Sequence, residues 1–78
     1  MDIKDELKNC VRGYLGESAS SFFLNRALGK IDEVETDRRS LADACGRVVK
    51  MIQLFIDEEM AEEVMKNLRT KIEQAGLP

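Results

Sequence analysis

The sequence predicts an all-α fold, a compact four-helix bundle with helices over about 2–15, 18–30, 38–56 and 58–75. Three observations predict it. Apolar residues recur with the helical period along nearly the whole chain. The single Pro of the 78 residues is the last one, so no helix is interrupted by a missing N–H. Aromatics are scarce (Tyr14, Phe22, Phe23, Phe55), which leaves an aliphatic and Met-containing core better suited to helix packing than to a sheet.

The first helix gathers Ile3, Leu7, Cys10, Val11, Tyr14 and Leu15 on one side, away from Lys4, Asp5, Lys8, Asn9 and Arg12. Asp2 suits the N-cap, and Asp5 and Glu6 suit the positive end of the helix dipole. Gly16 is the natural stop. Gly13, earlier in the same helix, marks either a close helix contact or fraying.

Glu17 and Ser18 open the second helix, which is expected to end near Gly29 or Lys30. Ala19, Phe23, Leu24, Ala27, Leu28 and Ile31 form its apolar arc, with Phe22 outside it beside Arg26. The acidic stretch 32–37, DEVETD, reads as a linker. The third helix starts at Asp37 or Ser40: Ser40 with Asp43 resembles a capping box, and Thr36 or Asp37 suits the cap of the earlier start equally well.

That third helix is the most apolar. Leu41, Ala44, Cys45, Val48, Val49, Met51, Ile52, Phe55 and Ile56 fill about half its circumference, while Asp43, Arg47 and Lys50 hold the narrower polar face. A stripe that wide predicts a central, least exposed helix with the others laid against it. The pattern loses phase at Asp57: a continuous helix would bury Glu59 and Glu63 and expose Ala61 and Met65. A break there, with Asp57 as a fresh N-cap, restores the arc Met60, Ala61, Val64, Met65, Leu68, Ile72 and Ala75. Acids open this fourth helix and bases close it, and Glu62 with Lys66 has the spacing of an ion pair. The short joint makes the last two helices antiparallel neighbours. No repeat or low-complexity run divides the chain, so one domain is expected.

Charge and composition narrow the function. Hydrophobic residues make up 44% and charged residues 35%, a balance that suits a soluble folded domain. The net charge of −3 argues against a general nucleic-acid binder. The first residues are charged and lack the apolar core of a secretion signal, and no run approaches a membrane span, so a cytoplasmic protein is expected. Cys10 and Cys45 both fall on apolar faces and read as reduced core thiols, with a disulfide as the lesser alternative.

The chain contains no His. That removes Ser-His and Cys-His nucleophile pairs, the phosphorelay His and the Glu-x-x-His of di-iron bundles. Phosphate-cradling Gly motifs are missing too, so no cofactor, enzymatic activity or small-molecule substrate is expected. The acids Asp57, Glu58, Glu59, Glu62 and Glu63 could be read as a divalent-cation site, but the helix dipole explains them without a ligand.

Two functional readings follow. One is a non-catalytic protein-interaction or adaptor module, binding another protein or itself as a dimer, with Phe22, Leu54, Arg26, Arg47 and Lys50 as candidate interface residues. Phe22 and Leu54 project from the polar sides of their helices. The alternative is a small DNA-binding regulator using Arg38, Arg39, Arg47 and Lys50, which requires those residues on one exposed surface free of carboxylates.

The segment ELKNCVRGYLGESASSFFLNRALGKI, the charged gap after it, and LADACGRVVKMIQLFIDEEMAEEVMKNL together resemble a small helical module of bacterial signalling proteins. Such modules stand alone or sit beside receiver and other regulatory domains. The resemblance runs through Tyr14-Leu15-Gly16, the aromatic-bearing second helix with Arg26 and the long apolar third helix. It implies a bacterial regulatory or adaptor role and carries no catalytic residue.

Overall fold

Residues 2–77 are described by a computed structural model and form α1 (Ile3–Leu15), α2 (Ser21–Asp32), α3 (Arg38–Phe55) and α4 (Glu58–Gln74), with no strand among them. Each helix starts at a side-chain cap. Asp2, Ser20, Asp37 and Asp57 accept backbone N–H bonds from Lys4, Phe23, Ser40 and Met60 respectively. Asp37 takes the third start: it accepts both the N–H and the hydroxyl of Ser40, at 2.8 and 2.9 Å, so Ser40 lies inside the helix.

The α1–α2 joint is longer than the spacing of apolar residues suggests. Gly16 ends α1 with φ +38° while its N–H donates to Arg12 O at 2.8 Å. Reversing the chain then takes residues 16–20, so Ser20, and not Ser18, caps α2. At its far end α2 runs through Gly29 to Asp32. Two forces extend it past the expected stop. Ile31 is fully buried there. Lys4 Nζ donates to the carbonyl oxygens of Asp32 and Val34, and Lys8 Nζ meets the Asp32 carboxylate at 2.8 Å. Cations at a helix C-terminus satisfy carbonyls that have no partner within the helix.

The α3–α4 break falls where the phase argument puts it. Ile56 and Asp57 both donate to Ile52 O, and Asp57 caps α4.

The helices run up-down-up-down. α1 packs on α2 and α4, and α3 packs on α2 and α4. No Cα of α1 lies within 8 Å of one in α3. The expectation of a central third helix is therefore corrected: α3 is one side of a four-membered ring. Its wide apolar arc serves two flanking neighbours and the shared interior. The fully buried side chains come from all four helices, led by Leu7, Leu15, Ile31, Leu41, Ile52 and Leu68. Among the described residues no polar side chain is buried.

The two hairpins differ in length, and this shapes one end of the molecule. α1 and α2 have 13 and 12 residues, whereas α3 and α4 have 18 and 17. At 1.5 Å per residue α3 is about 27 Å long and α2 about 18 Å. Tyr14, next to the last residue of α1, meets Asn67, well inside α4, so the first turns of α4 stand beyond the end of α1.

Candidate functional site

The site lies at the end formed by the α1–α2 turn, the start of α2, the last turn of α3 and the start of α4. Phe55 sits one turn beyond Ile52 on α3, at nearly the azimuth of the buried Val48. It is nevertheless 73% exposed. This corrects the assignment of Phe55 to the buried face: the direction is right, but α2 reaches it only with its first turn and covers it in part. The ring instead meets Phe23 of α2 edge-on, with centroids 6.3 Å apart and planes at 67°. Such a pair is a favoured aromatic geometry. Beside this pair in sequence are Phe22, 76% exposed, and Leu54, 65% exposed. Met51, Ile56 and Met60 are half-buried beneath, against the core. Three large apolar side chains thus reach water at one end of the bundle.

The predicted interface residues divide around this end. Phe22 and Leu54 belong to it. Arg26 follows Phe22 by one turn on α2, and Lys50 precedes Leu54 by one turn on α3; both are exposed. Arg47 lies farther down α3 and pairs with Asp43 at 3.3 Å on a fully solvated face. Phe55 is the residue the sequence reading missed.

The basic residues of α3 do not form one surface. Arg38 turns into the groove between α3 and α4, while Arg39, Arg47 and Lys50 share the opposite polar face with Asp43. A carboxylate therefore sits among the cations that a groove-reading helix would need clear.

Concavities lie along two of the helix pairs. The α3–α4 groove, about 250 Å³, opens where Ala42 and Gly46 present little side chain, with Met65 opposite and Arg38, Arg69 and Glu73 at its rim. Its volume falls below the ~300 Å³ at which ligand pockets begin. Met65 belongs to this edge and is partly exposed, and Ala75 lies past the last turn of α4 and is exposed, so neither completes the buried arc assigned to them. Cys45 lines the groove, and burial pushes its thiol up to about 12, which suppresses the nucleophilic thiolate. The α1–α4 depression is larger, about 450 Å³, but more open to solvent, and includes Cys10, Tyr14 and Lys71. Burial raises the Cys10 thiol as well, and the nearby Lys71 offsets part of that. Both cysteines are free, and with α1 and α3 more than 8 Å apart at every Cα a disulfide would require helix movement. Tyr14 accepts a hydrogen bond from Asn67 at 2.6 Å, tying α1 to α4.

No three His, Cys, Asp or Glu side chains converge as a cation site among the described residues. No helix among them is long and apolar enough to cross a membrane.

No family model, curated protein or solved structure matches the chain. The geometry of the apolar end is therefore the ground for a functional reading.

Proposed function

We propose that the chain is a non-catalytic protein-interaction module, a helical adaptor that docks on another protein through its apolar end. The observation that carries this reading is the joint exposure of Phe22, Leu54 and Phe55 where the longer hairpin overhangs the shorter one. Scattered single apolar residues are normal on any surface. A set gathered at one end, above half-buried Met51, Ile56 and Met60, has the make-up of an interface core. The resemblance to modules of bacterial signalling proteins supports a regulatory setting for this docking.

The test compares the immobilised chain with a Phe22→Glu, Leu54→Glu, Phe55→Glu variant whose helicity matches the parent by circular dichroism. A partner held by the parent and lost from the variant supports the reading. Identical retention on both columns, with a concentration-independent monomer mass, overturns it.

A further inference from the structure

The charge of the chain is spread unevenly along the bundle. Between Arg12 and Arg26, and again between Lys50 and Lys66, the sequence has no Lys or Arg. Those two stretches form the apolar end, bounded one turn below Phe22 and Leu54 by the exposed Arg26 and Lys50. They carry Glu17, Asp57, Glu58, Glu59, Glu62 and Glu63, six acids with no base. The rest of the chain holds nine acids and twelve bases. A net charge of −3 thus conceals an end of −6 on a body of +3.

Helix dipoles do not cancel this. In the up-down-up-down arrangement that end contains the C-termini of α1 and α3 and the N-termini of α2 and α4. Each terminus counts for about half a charge, and the four offset one another pairwise. Among the described residues none of the six carboxylates makes an ion pair, although Asp57 accepts the Met60 N–H as the α4 cap. All six are exposed.

We infer that the occupant of the apolar end is a basic amphipathic helix of another protein, with apolar anchors for Phe22, Leu54 and Phe55 and Lys or Arg on its flanks. This deepens the docking reading above and rests on it. A helix laid on an apolar surface presents anchors at i, i+3, i+4 and i+7, which matches a platform of three side chains on two helix ends. Its flanking cations meet the carboxylates of the α1–α2 turn and the first turns of α4. A second copy is the wrong occupant. Two such ends facing one another would set six carboxylates against six, and like charges across an interface select against the wrong partner. An anionic lipid surface is repelled for the same reason.

The experiment uses the ¹⁵N-labelled full chain and two synthetic amphipathic peptides of about 18 residues, five turns. Both have the same Leu face; one has Lys and Arg on its polar face, the other Glu. The basic peptide is expected to shift the amide signals of residues 20–25 and 51–60. It should bind at least about tenfold tighter than the acidic one and weaken as salt rises from about 50 to about 300 mM. The Glu58→Lys, Glu59→Lys, Glu62→Lys variant, folded by circular dichroism, should lose that preference. Equal binding of both peptides at this end would overturn the charge assignment and leave the docking reading standing. No shift at this end with either peptide would overturn both. A dimer by light scattering that Phe55→Glu dissolves would overturn the choice of partner alone.

Discussion

Phe55 and Ile52 lie one turn apart on nearly the same side of α3, and truncating each to Ala should have very different costs. Ile52 is fully buried. Removing its side chain loses the transfer energy and leaves a cavity, about 2–5 kcal/mol. A domain of this size has roughly 4–12 kcal/mol of stability, so Ile52→Ala removes a large part of it. Phe55 has only about a quarter of its surface covered. A Phe is worth about 1.5–3 kcal/mol when fully buried, so its covered share is about 0.4–0.8 kcal/mol. The edge-on pair with Phe23 adds about 0.5 kcal/mol, the low end for a wet contact. Ala is the better helix former, which returns a few tenths of a kcal/mol. Phe55→Ala should therefore cost about 1 kcal/mol or less. Urea unfolding followed at 222 nm measures both, with the two slopes compared to confirm that the unfolded states match. If Phe55→Ala costs as much as Ile52→Ala, the ring is packed and the overhang does not exist. The docking surface would then lose its main residue.

Other outcomes follow from the same structure. A Cβ built on Gly29 or Gly46 meets nothing within 4 Å, so Gly29→Ala and Gly46→Ala should each stabilise by about 0.5–1 kcal/mol, raising Tm; a fall in Tm would mean an unseen clash. Asp57→Ala removes the cap that separates α3 from α4 and should cost about 1 kcal/mol in urea unfolding, while an unchanged midpoint would show that the break needs no cap. Cys45 has a thiol raised from an ordinary value of 9.0 to about 12, so the folded state holds that proton more tightly than the unfolded one. Its contribution is complete below pH 9 and is lost as pH climbs from 9 towards 12, and Cys45→Ala should show a flatter alkaline decline by thermal melts. Asp37 behaves oppositely: the Ser40 N–H and hydroxyl hold its carboxyl below the usual 3.8, so its contribution is present above that pH and lost as pH falls below it. Asp37→Asn should weaken the acid-side loss seen in a pH series of melts; an identical acid limb would argue that Asp37 does not matter there.

The helices were legible because their signals are local. The caps at Asp2 and Asp57, the stop at Gly16 and the loss of phase after Ile56 are each set by residues within one or two turns. Asp43 and Arg47 pair at the same i, i+4 spacing, whereas the Glu62–Lys66 pair that this spacing predicts does not close among the described residues. What the sequence hid is set across helices. Lys4 and Lys8 read as solvated positions, yet they reach residues 28, 30 and 24 positions away to finish α2. Gly13 could have marked a close contact; a Cβ there meets nothing within 4 Å, so helix proximity does not explain it. The breadth of the α3 stripe was read as centrality, but breadth counts neighbours and cannot say whether they surround the helix or flank it.

Phe55 explains why the site itself was half legible. A helical wheel gives azimuth and discards height, so Phe55 falls among the core residues with Val48 and Ile52. Its exposure depends on the relative lengths of two hairpins, to which the cap contributes: capping α2 at Ser18 in place of Ser20 would set about half a turn more beside the α3 end. Phe22 and Leu54 were found because they break the azimuthal pattern; Phe55 obeys it and is exposed anyway. The charge division was open to view in the sequence all along, since the base-free stretches can be counted directly. It acquires meaning only when antiparallel packing places the α1–α2 turn and the α3–α4 joint at the same end. Two features with separate origins then coincide: hairpin mismatch uncovers the apolar side chains, and the spacing of Lys and Arg leaves the sequence between Arg12 and Arg26 and between Lys50 and Lys66 without a cation. Neither is required by the core. Extending α2 upward would cover Phe55, and one Lys near Glu59 would soften the field, each at no evident cost to the buried residues. Their coincidence at one end is the physical ground on which the proposed docking surface rests.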